Sequence, residues 1–155
     1  MSLEVGLAIA AAATLVLCAV SNKRQSTYVR RAVLTDTELR FFFRLVDAVS
    51  EGDYVCPQLG MGAALETRGG TAKSSLAAFR AISQKRIDFC ICDRRMMPKL
   101  VVELDDHTHD AARDAARDDL LRWAGIRTLR FDVRRMPTTP QLRAALVAAN
   151  AGGSQ

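Results

Sequence analysis

The stretch Lys99-Leu-Val-Val-Glu-Leu-Asp-Asp-His-Thr-His109 places acidic residues in an apolar run and ends in two histidines. Side chains two residues apart in a β-strand share a face, so Glu103 and Asp105 are expected to point the same way and Leu104 into the opposite layer. Neighbouring carboxylates repel each other, and acids in an apolar strand are costly without a ligand. The stretch therefore predicts a strand with a charged site on one face.

The net charge is distributed unevenly around this stretch. Residues 103–119 contain seven acidic residues and two arginines, a net charge of −5. The remainder contains 20 basic and 10 acidic residues, a net charge of +10, which gives +5 for the chain. An acidic centre in a basic body suits a divalent cation held by carboxylates, with arginines that contact the phosphates of a polyanion.

The N-terminal segment contributes part of the apolar content. The chain has 155 residues, 49% of them hydrophobic, enough for one globular domain with a core. Residues 5–20 are uncharged, and as a helix they would span roughly 24 Å of a hydrocarbon layer about 30 Å thick. An anchor, a secretory signal peptide and a soluble core helix are the alternatives. Glu4 precedes the segment and Lys23 and Arg24 follow it, which favours a single-pass anchor at residues 3–21, with the N-terminus outside a bacterial inner membrane and the domain in the cytoplasm.

Residues 22–34 are polar and basic and are predicted to form a juxtamembrane linker that also lies against anionic lipid. The folded domain is predicted at residues 35–150. It opens with Thr35-Asp-Thr-Glu38, a capping-box pattern at the start of a helix. The core face of this helix is predicted from apolar residues at helical spacing: Leu39, Phe42, Phe43, Val46 and Val49.

The remaining pattern predicts strands separated by helices. Residues 60–75, with four glycines, are expected to be irregular or partly helical. Strands are predicted at 54–59, 86–93, 99–105 and 126–133, the second and third as a hairpin, and helices at 110–124 and 139–149. This order predicts an α/β fold with a mixed central sheet flanked by helices and preceded by a transmembrane helix.

Two common classes of site are disfavoured. No Gly-rich phosphate loop follows a strand, which argues against Walker and dinucleotide-binding folds. Four cysteines occur without any Cys-x-x-Cys pair, which favours reduced thiols over a structural zinc site.

The residues Ile-Asp88-Phe, followed after a turn by Val-Val-Glu103-Leu-Asp105, resemble the core of the restriction-endonuclease-like superfamily, whose signature is an Asp and then Asp/Glu-x-Lys. Further motifs are similar to its very-short-patch-repair-like branch: Glu103-Leu-Asp-Asp-x-x-His109, Asp114-x-x-Arg117-Asp118, Leu121, Ala124-Gly125-Ile126 and Leu129-Arg130-Phe131. Within that branch the chain resembles an uncharacterised bacterial family, labelled a domain of unknown function, whose members often carry an N-terminal anchor. The resemblance covers about residues 33–147.

The resemblance implies a nuclease fold in which Asp88, Glu103 and the carbonyl of Leu104 hold Mg²⁺ or Mn²⁺. A cation neutralises charge in the transition state of phosphodiester cleavage and activates water. The chain departs from the superfamily at Asp105, where lysine is usual. Either Asp105 acts as a further ligand or as the base, with His109 as a second proton-transfer group, or the site has lost its chemistry and only binds nucleic acid or metal.

Other residues have both a structural and a functional interpretation. Glu38 completes the capping box, and it is also a catalytic candidate because related folds sometimes bring a first-helix glutamate to the metal. Asp114 either forms ion pairs within its own helix or reaches the site from the first turn. The candidates for substrate binding are basic residues near these motifs: Lys85, Arg86, Arg113 and Arg117.

The sequence therefore predicts a metal-dependent endonuclease that acts on DNA more readily than on RNA at the cytoplasmic face of a bacterial membrane, and a homodimer would supply specificity that this small chain lacks. The alternative is a catalytically inactive nucleic-acid-binding or scaffolding module of the same fold.

Overall fold

The computed structural model describes residues 27–105 and 111–152, with side chains from residue 115 onward in the second range. The chain divides into two units, Met1–Arg31 and Ala32–Gln155. The second unit contains all the elements that follow: α1 (Asp36–Ala48), β1 (Tyr54–Gly60), α2 (Met61–Ala64), α3 (Ala72–Ser83), β2 (Arg86–Cys92), β3 (Pro98–Asp105), α4 (Ala111–Trp123), β4 (Arg127–Asp132), a 3₁₀ turn (Val133–Arg135) and α5 (Thr139–Ala151).

The four strands form one sheet in the order β1-β2-β3-β4. The pairs β1–β2 and β2–β3 are antiparallel, whereas β3 and β4 are parallel. A parallel neighbour requires a crossover connection, and α4 provides it. The predicted mixed sheet flanked by helices is confirmed.

Alternation along the strands divides the core into two layers. On one face, Phe89, Val102 and Leu104 pack with residues of α1 and α5. On the other face, Cys90 and Val101 pack with residues of α2, α3 and α4. We call the second face the α4 face, and it is the face on which Glu103 and Asp105 continue the alternation after Val101.

The first helix begins as predicted but buries a different side. Thr35 and Glu38 form the capping box, with the Thr35 N–H donating to Glu38 Oε2 at 2.6 Å. The buried residues are Phe41, Leu45 and Ala48. The predicted core face was wrong in part, because Leu39, Phe43 and Val46 are exposed. Three consecutive phenylalanines give this helix apolar residues on several sides, so spacing alone did not identify the packed side.

Helix α3 begins at the end of the stretch 60–75, which was expected to be irregular or partly helical, and continues to Ser83, where the sequence predicted no element. The Thr71 side chain caps it by accepting from the Ser74 N–H at 3.3 Å. Further along, Gly125 ends α4 with a φ of +75°. The Ile126 N–H donates to the Leu121 carbonyl at 2.8 Å, as in a glycine-terminated helix.

The predicted anchor at residues 3–21 lies outside the described residues. Within residues 27–105 and 111–152, no helix is long and apolar enough to cross a bilayer.

Candidate functional site

Glu103 lies at the centre of the candidate site. It is a buried charged residue on β3, with 3% of its surface exposed. On one side its Cα pairs with that of Arg130 in β4. On the other side it follows the Phe89–Val102 pair, so the antiparallel register places it opposite Asp88 of β2. The sheet therefore sets two acids and an arginine side by side on three strands.

Asp88 lies where the β2–β3 ladder ends. Its Oδ2 accepts from the Leu104 N–H at 3.1 Å, so a side-chain oxygen binds a backbone donor of the facing strand. The Leu104 side chain meanwhile packs in the core on the opposite face. The position of the Asp88 carboxylate is thus tied to the backbone between Glu103 and Asp105.

The carboxyl group of Glu103 is held in an unfavourable environment. Burial and then the charge of Asp88 raise its pKa, the charges of Arg117 and Arg130 oppose this shift, and the resulting pKa is about 7. Arg117 Nη2 on α4 lies 3.0 Å from Glu103 Oε2. Glu103 Oε1 is buried and has no hydrogen-bond partner among the described residues. A buried polar atom left in this way costs free energy that a ligand would recover.

This arrangement fits a hard divalent cation. Mg²⁺ prefers oxygen ligands and is usually bound through one or two carboxylates while it keeps several waters. Asp88 and Glu103 supply two carboxylates, and one oxygen of Glu103 has no hydrogen-bond donor among the residues that the structure describes. Within the part of the chain that the structure describes, no three His, Cys, Asp or Glu side chains form a ready-made metal site.

Asp105 belongs to a different set of contacts from Glu103, although both lie on the α4 face of β3. Its two carboxylate oxygens accept from Arg130 Nη1 at 3.0 and 3.3 Å. Arg130 Nη2 donates to both oxygens of Asp118 on α4, at 2.9 and 3.0 Å. Partial burial would lower the pKa of Arg130, but the hydrogen bonds and charges of Asp118 and Asp105 raise it, so the guanidinium stays charged.

Comparison with known proteins places the chain in a family. Residues 30–149 match the family described as "Protein of unknown function (DUF2726)". The chain belongs to this family.

A relative of the chain is an uncharacterized protein of Haemophilus influenzae (strain ATCC 51907 / DSM 11121 / KW20 / Rd). It is 32% identical over 113 residues, which cover 68% of this chain and 56% of the relative. The chain thus spans just over half the length of that relative. No solved structure matches the chain.

The family match spans every strand of the sheet and all the site residues described above. It agrees with the resemblance to a bacterial family of unknown function. It assigns no activity, so the restriction-endonuclease-like relationship stays a prediction that rests on the motifs.

Two ion pairs of α4 run to the sheet. The sequence allowed Asp114, Arg117 and Asp118 to pair within their own helix. The described contacts join Arg117 to Glu103 and Asp118 to Arg130, while the side chain of Asp114 is not among those described. The guanidinium of Arg117 lies beside Glu103, a candidate metal ligand. Its suggested role in substrate binding stays a prediction.

Glu38 serves the capping box and also contacts the sheet. Its Oε1 accepts from Gln58 Nε2 at 3.0 Å. Gln58 has a φ of +52° and lies between the Pro57–Phe89 and Leu59–Ile87 pairs of β1 and β2. The register therefore sets it opposite Asp88. Glu38 is connected through one side chain to the strand row that contains the two acids.

The other predicted site residues fall into two groups. Lys85 and Arg86 lie at the start of β2, two or three residues before Asp88, and Arg86 is exposed. The side chains of Arg113 and Asp114 are not among those described, and His109 lies outside the described residues. Their predicted roles stay predictions.

Sequence reasoning missed Arg130 as a site residue. It appeared only within a motif, and its relation to Glu103 depends on the parallel register of β3 and β4. The available signal was the position of Arg130 between two apolar residues of β4, Leu129 and Phe131.

Proposed function

We propose that the chain is a metal-dependent nuclease-like domain that acts on nucleic-acid phosphodiesters. The observation that carries the proposal is the buried Glu103 beside Asp88, with a carboxylate oxygen that lacks a hydrogen-bond donor among the described residues. A fold that served only stability would gain from an apolar or amide side chain at this position, because burying a carboxylate is costly even when an arginine lies beside it.

Asp88 and Glu103 would hold Mg²⁺ or Mn²⁺, together with the carbonyl of Leu104 that the resemblance implies. When bound, the ion supplies positive charge for the phosphoryl oxygens and lowers the pKa of a bound water. His109 remains the proposed proton-transfer group. Asp105, the other candidate for the base, is bound to Arg130 and so is arranged to orient that cation.

The partner proposed for this site is nucleic acid, DNA before RNA. Outside residues 103–119 the chain carries a net charge of +10, and Lys85 and Arg86 lie a few residues from Asp88 in β2. Lys and Arg side chains near a metal site contact phosphates and give binding that weakens as salt rises. Residues 3–21 would hold the domain at the cytoplasmic face of a bacterial inner membrane, and a homodimer would extend the contact surface.

A binding or scaffolding module without catalysis is the second candidate, and one observation favours it. Arg117 lies 3.0 Å from Glu103 and already neutralises part of the charge that a metal would neutralise. The two candidates give different results in one experiment.

The experiment titrates Mg²⁺ or Mn²⁺ into the full-length chain with labelled single- and double-stranded DNA and RNA. The wild type is compared with Glu103→Gln, which keeps the shape of the side chain. Asp119→Asn is the matched control. It also removes an acid from the segment 103–119, but Asp119 pairs with Arg122 on the exposed surface of α4. Cleavage by wild type and by the control, lowered about a hundredfold or more in Glu103→Gln, supports the nuclease.

The opposite result is equally clear. If no metal permits cleavage, and wild type and Glu103→Gln bind nucleic acid equally well, the proposed catalysis is wrong. The chain would then be a binding module, and its dependence on salt would report the phosphate contacts.

A further inference from the structure

Arg130 joins two acidic residues from different elements. One terminal nitrogen binds Asp105 on β3 and the other binds Asp118 on α4, each through two contacts of 2.9–3.3 Å. Guanidinium contacts of this kind hold a carboxylate in one orientation and favour its ionised form. Roughly a quarter of each of the three side chains is exposed, so the bridge lies at the rim of the site.

The bridge matters because of where Asp105 would otherwise lie. Glu103 and Asp105 are two residues apart on one strand and share the α4 face, and Asp88 flanks Glu103 on the next strand. Without a competing cation, three carboxylates would border one space. Yet the described residues contain no group of three such ligands arranged around a single point. Arg130 contacts both oxygens of Asp105 and so competes with a cation for this carboxylate.

We infer that Arg130 is a positioning residue that keeps Asp105 out of the metal-ligand set and places a positive charge beside Glu103 from strand β4. The inference rests on the proposed metal site. It assigns metal binding to Asp88 and Glu103 and gives Asp105 the task of orienting a cation. Position 105 is therefore acidic without adding a third negative ligand.

The test is Mn²⁺ binding by the full-length chain, measured by calorimetry without nucleic acid. Four proteins form a cycle: wild type, Asp105→Asn, Arg130→Gln and the double variant. With Arg130 present, Asp105→Asn should change the dissociation constant by about twofold or less. Arg130→Gln should bind Mn²⁺ about tenfold more tightly because Asp105 is released and a nearby positive charge is lost, and adding Asp105→Asn should remove the part of the gain that comes from Asp105.

The cycle distinguishes an effect of Arg130 on the position of Asp105 from an effect of its positive charge alone. If Arg130 acts only through its charge, Asp105→Asn changes the affinity by the same factor in both backgrounds, and the inference is overturned. An effect of Asp105→Asn above tenfold in the presence of Arg130 also overturns it, because Asp105 would then be a ligand. Should Arg130→Gln fail to fold, Arg130→Lys replaces it. The ammonium keeps the charge but lacks the two-sided fork, so Asp105→Asn must again have a larger effect there than in wild type.

The two proposals fail in different ways. Equal Mn²⁺ binding by wild type and Arg130→Gln overturns the role of Arg130 and leaves the metal site intact. If Arg130→Gln binds Mn²⁺ and wild type does not, the result contradicts the proposed function but supports the role of Arg130. The absence of binding in both contradicts both.

Discussion

The α4 face of the sheet has two ends that use the same strands in different ways. At one end Cys90, Cys92 and Val101 pack with Leu121, and we call this the cysteine end. Burial and the neighbouring Cys92 raise the pKa of the Cys90 thiol well above its ordinary value, so this thiol is uncharged. At the other end, the acidic end, lie the buried Glu103 and the half-buried Asp88. Alternation on one strand thus produces a stable core and a charged site a few residues apart.

The difference between the two ends separates contacts that stabilise the fold from the candidate metal site. At the cysteine end the Cys90 and Cys92 sulfurs lie 3.7 Å apart as free thiols among buried apolar side chains. At the acidic end a buried carboxylate has an oxygen without a donor in the described structure. The first arrangement is self-sufficient, whereas the second would gain from a ligand.

The largest effect on stability is expected from Leu121→Ala at the cysteine end. Leu121 is completely buried, so truncation should lower the free energy of unfolding by about 2–5 kcal/mol in a urea titration. Arg122→Ala, on the exposed side of the same helix, is the control and should stay within about 0.5 kcal/mol. The folded fraction of Leu121→Ala should still bind Mn²⁺ as wild type does. Altered affinity would show that the two ends are not independent.

The next effect concerns the pH dependence of the acidic end. The pKa of Glu103 is about 7 in the folded chain against an ordinary 4.5. An acid with a raised pKa contributes stability below its unfolded pKa and loses it as pH rises through the folded value. In metal-free protein this loss should reach about 3 kcal/mol at most between pH 4.5 and 8. Urea titrations across that range should show it in wild type but not in Glu103→Gln. Parallel profiles for the two proteins would rule out this source.

The smallest effect is expected at the turn that joins β2 to β3 beyond the cysteine end. Asp93 Oδ1 accepts from the Arg95 and Met97 N–H groups at 2.8 and 2.9 Å. These backbone bonds lower the pKa of Asp93, so its contribution is present above the ordinary value of 3.8 and is lost as pH falls below it. Asp93→Ala should slightly lower the thermal midpoint at pH 7 but not at pH 2. A similar decrease at both values would point to a cause other than the charged form.

The sequence predicted the parts of the fold that depend on local pattern. The alternation around Glu103, the capping box at Thr35 and the glycine after α4 each follow from one element and its ends. Helix α3 was missed because Gly69 and Gly70 directly precede its cap, and glycines are more typical of a loop than of a helix start. The packed side of α1 was misassigned because several of its sides are apolar, and only tertiary contact decides among them.

In the candidate site, too, the sequence predicts what depends on local pattern and not what depends on tertiary contact. That Glu103 and Asp105 share a face follows from the period of a strand, and the structure agrees. Their different partners do not follow from it, because Arg130 reaches them only through the parallel pairing of β3 and β4. A long-range register of that kind leaves no local mark on the sequence.

Leu104 couples two properties that are usually tuned separately. Its amide holds the Asp88 carboxylate, while its side chain belongs to the core beneath α1 and α5. Repacking that core would shift the amide, and with it one of the proposed carboxylate ligands, without altering any charge. A selection for the proposed cleavage should therefore recover substitutions in α1 and α5, away from the proposed ligands.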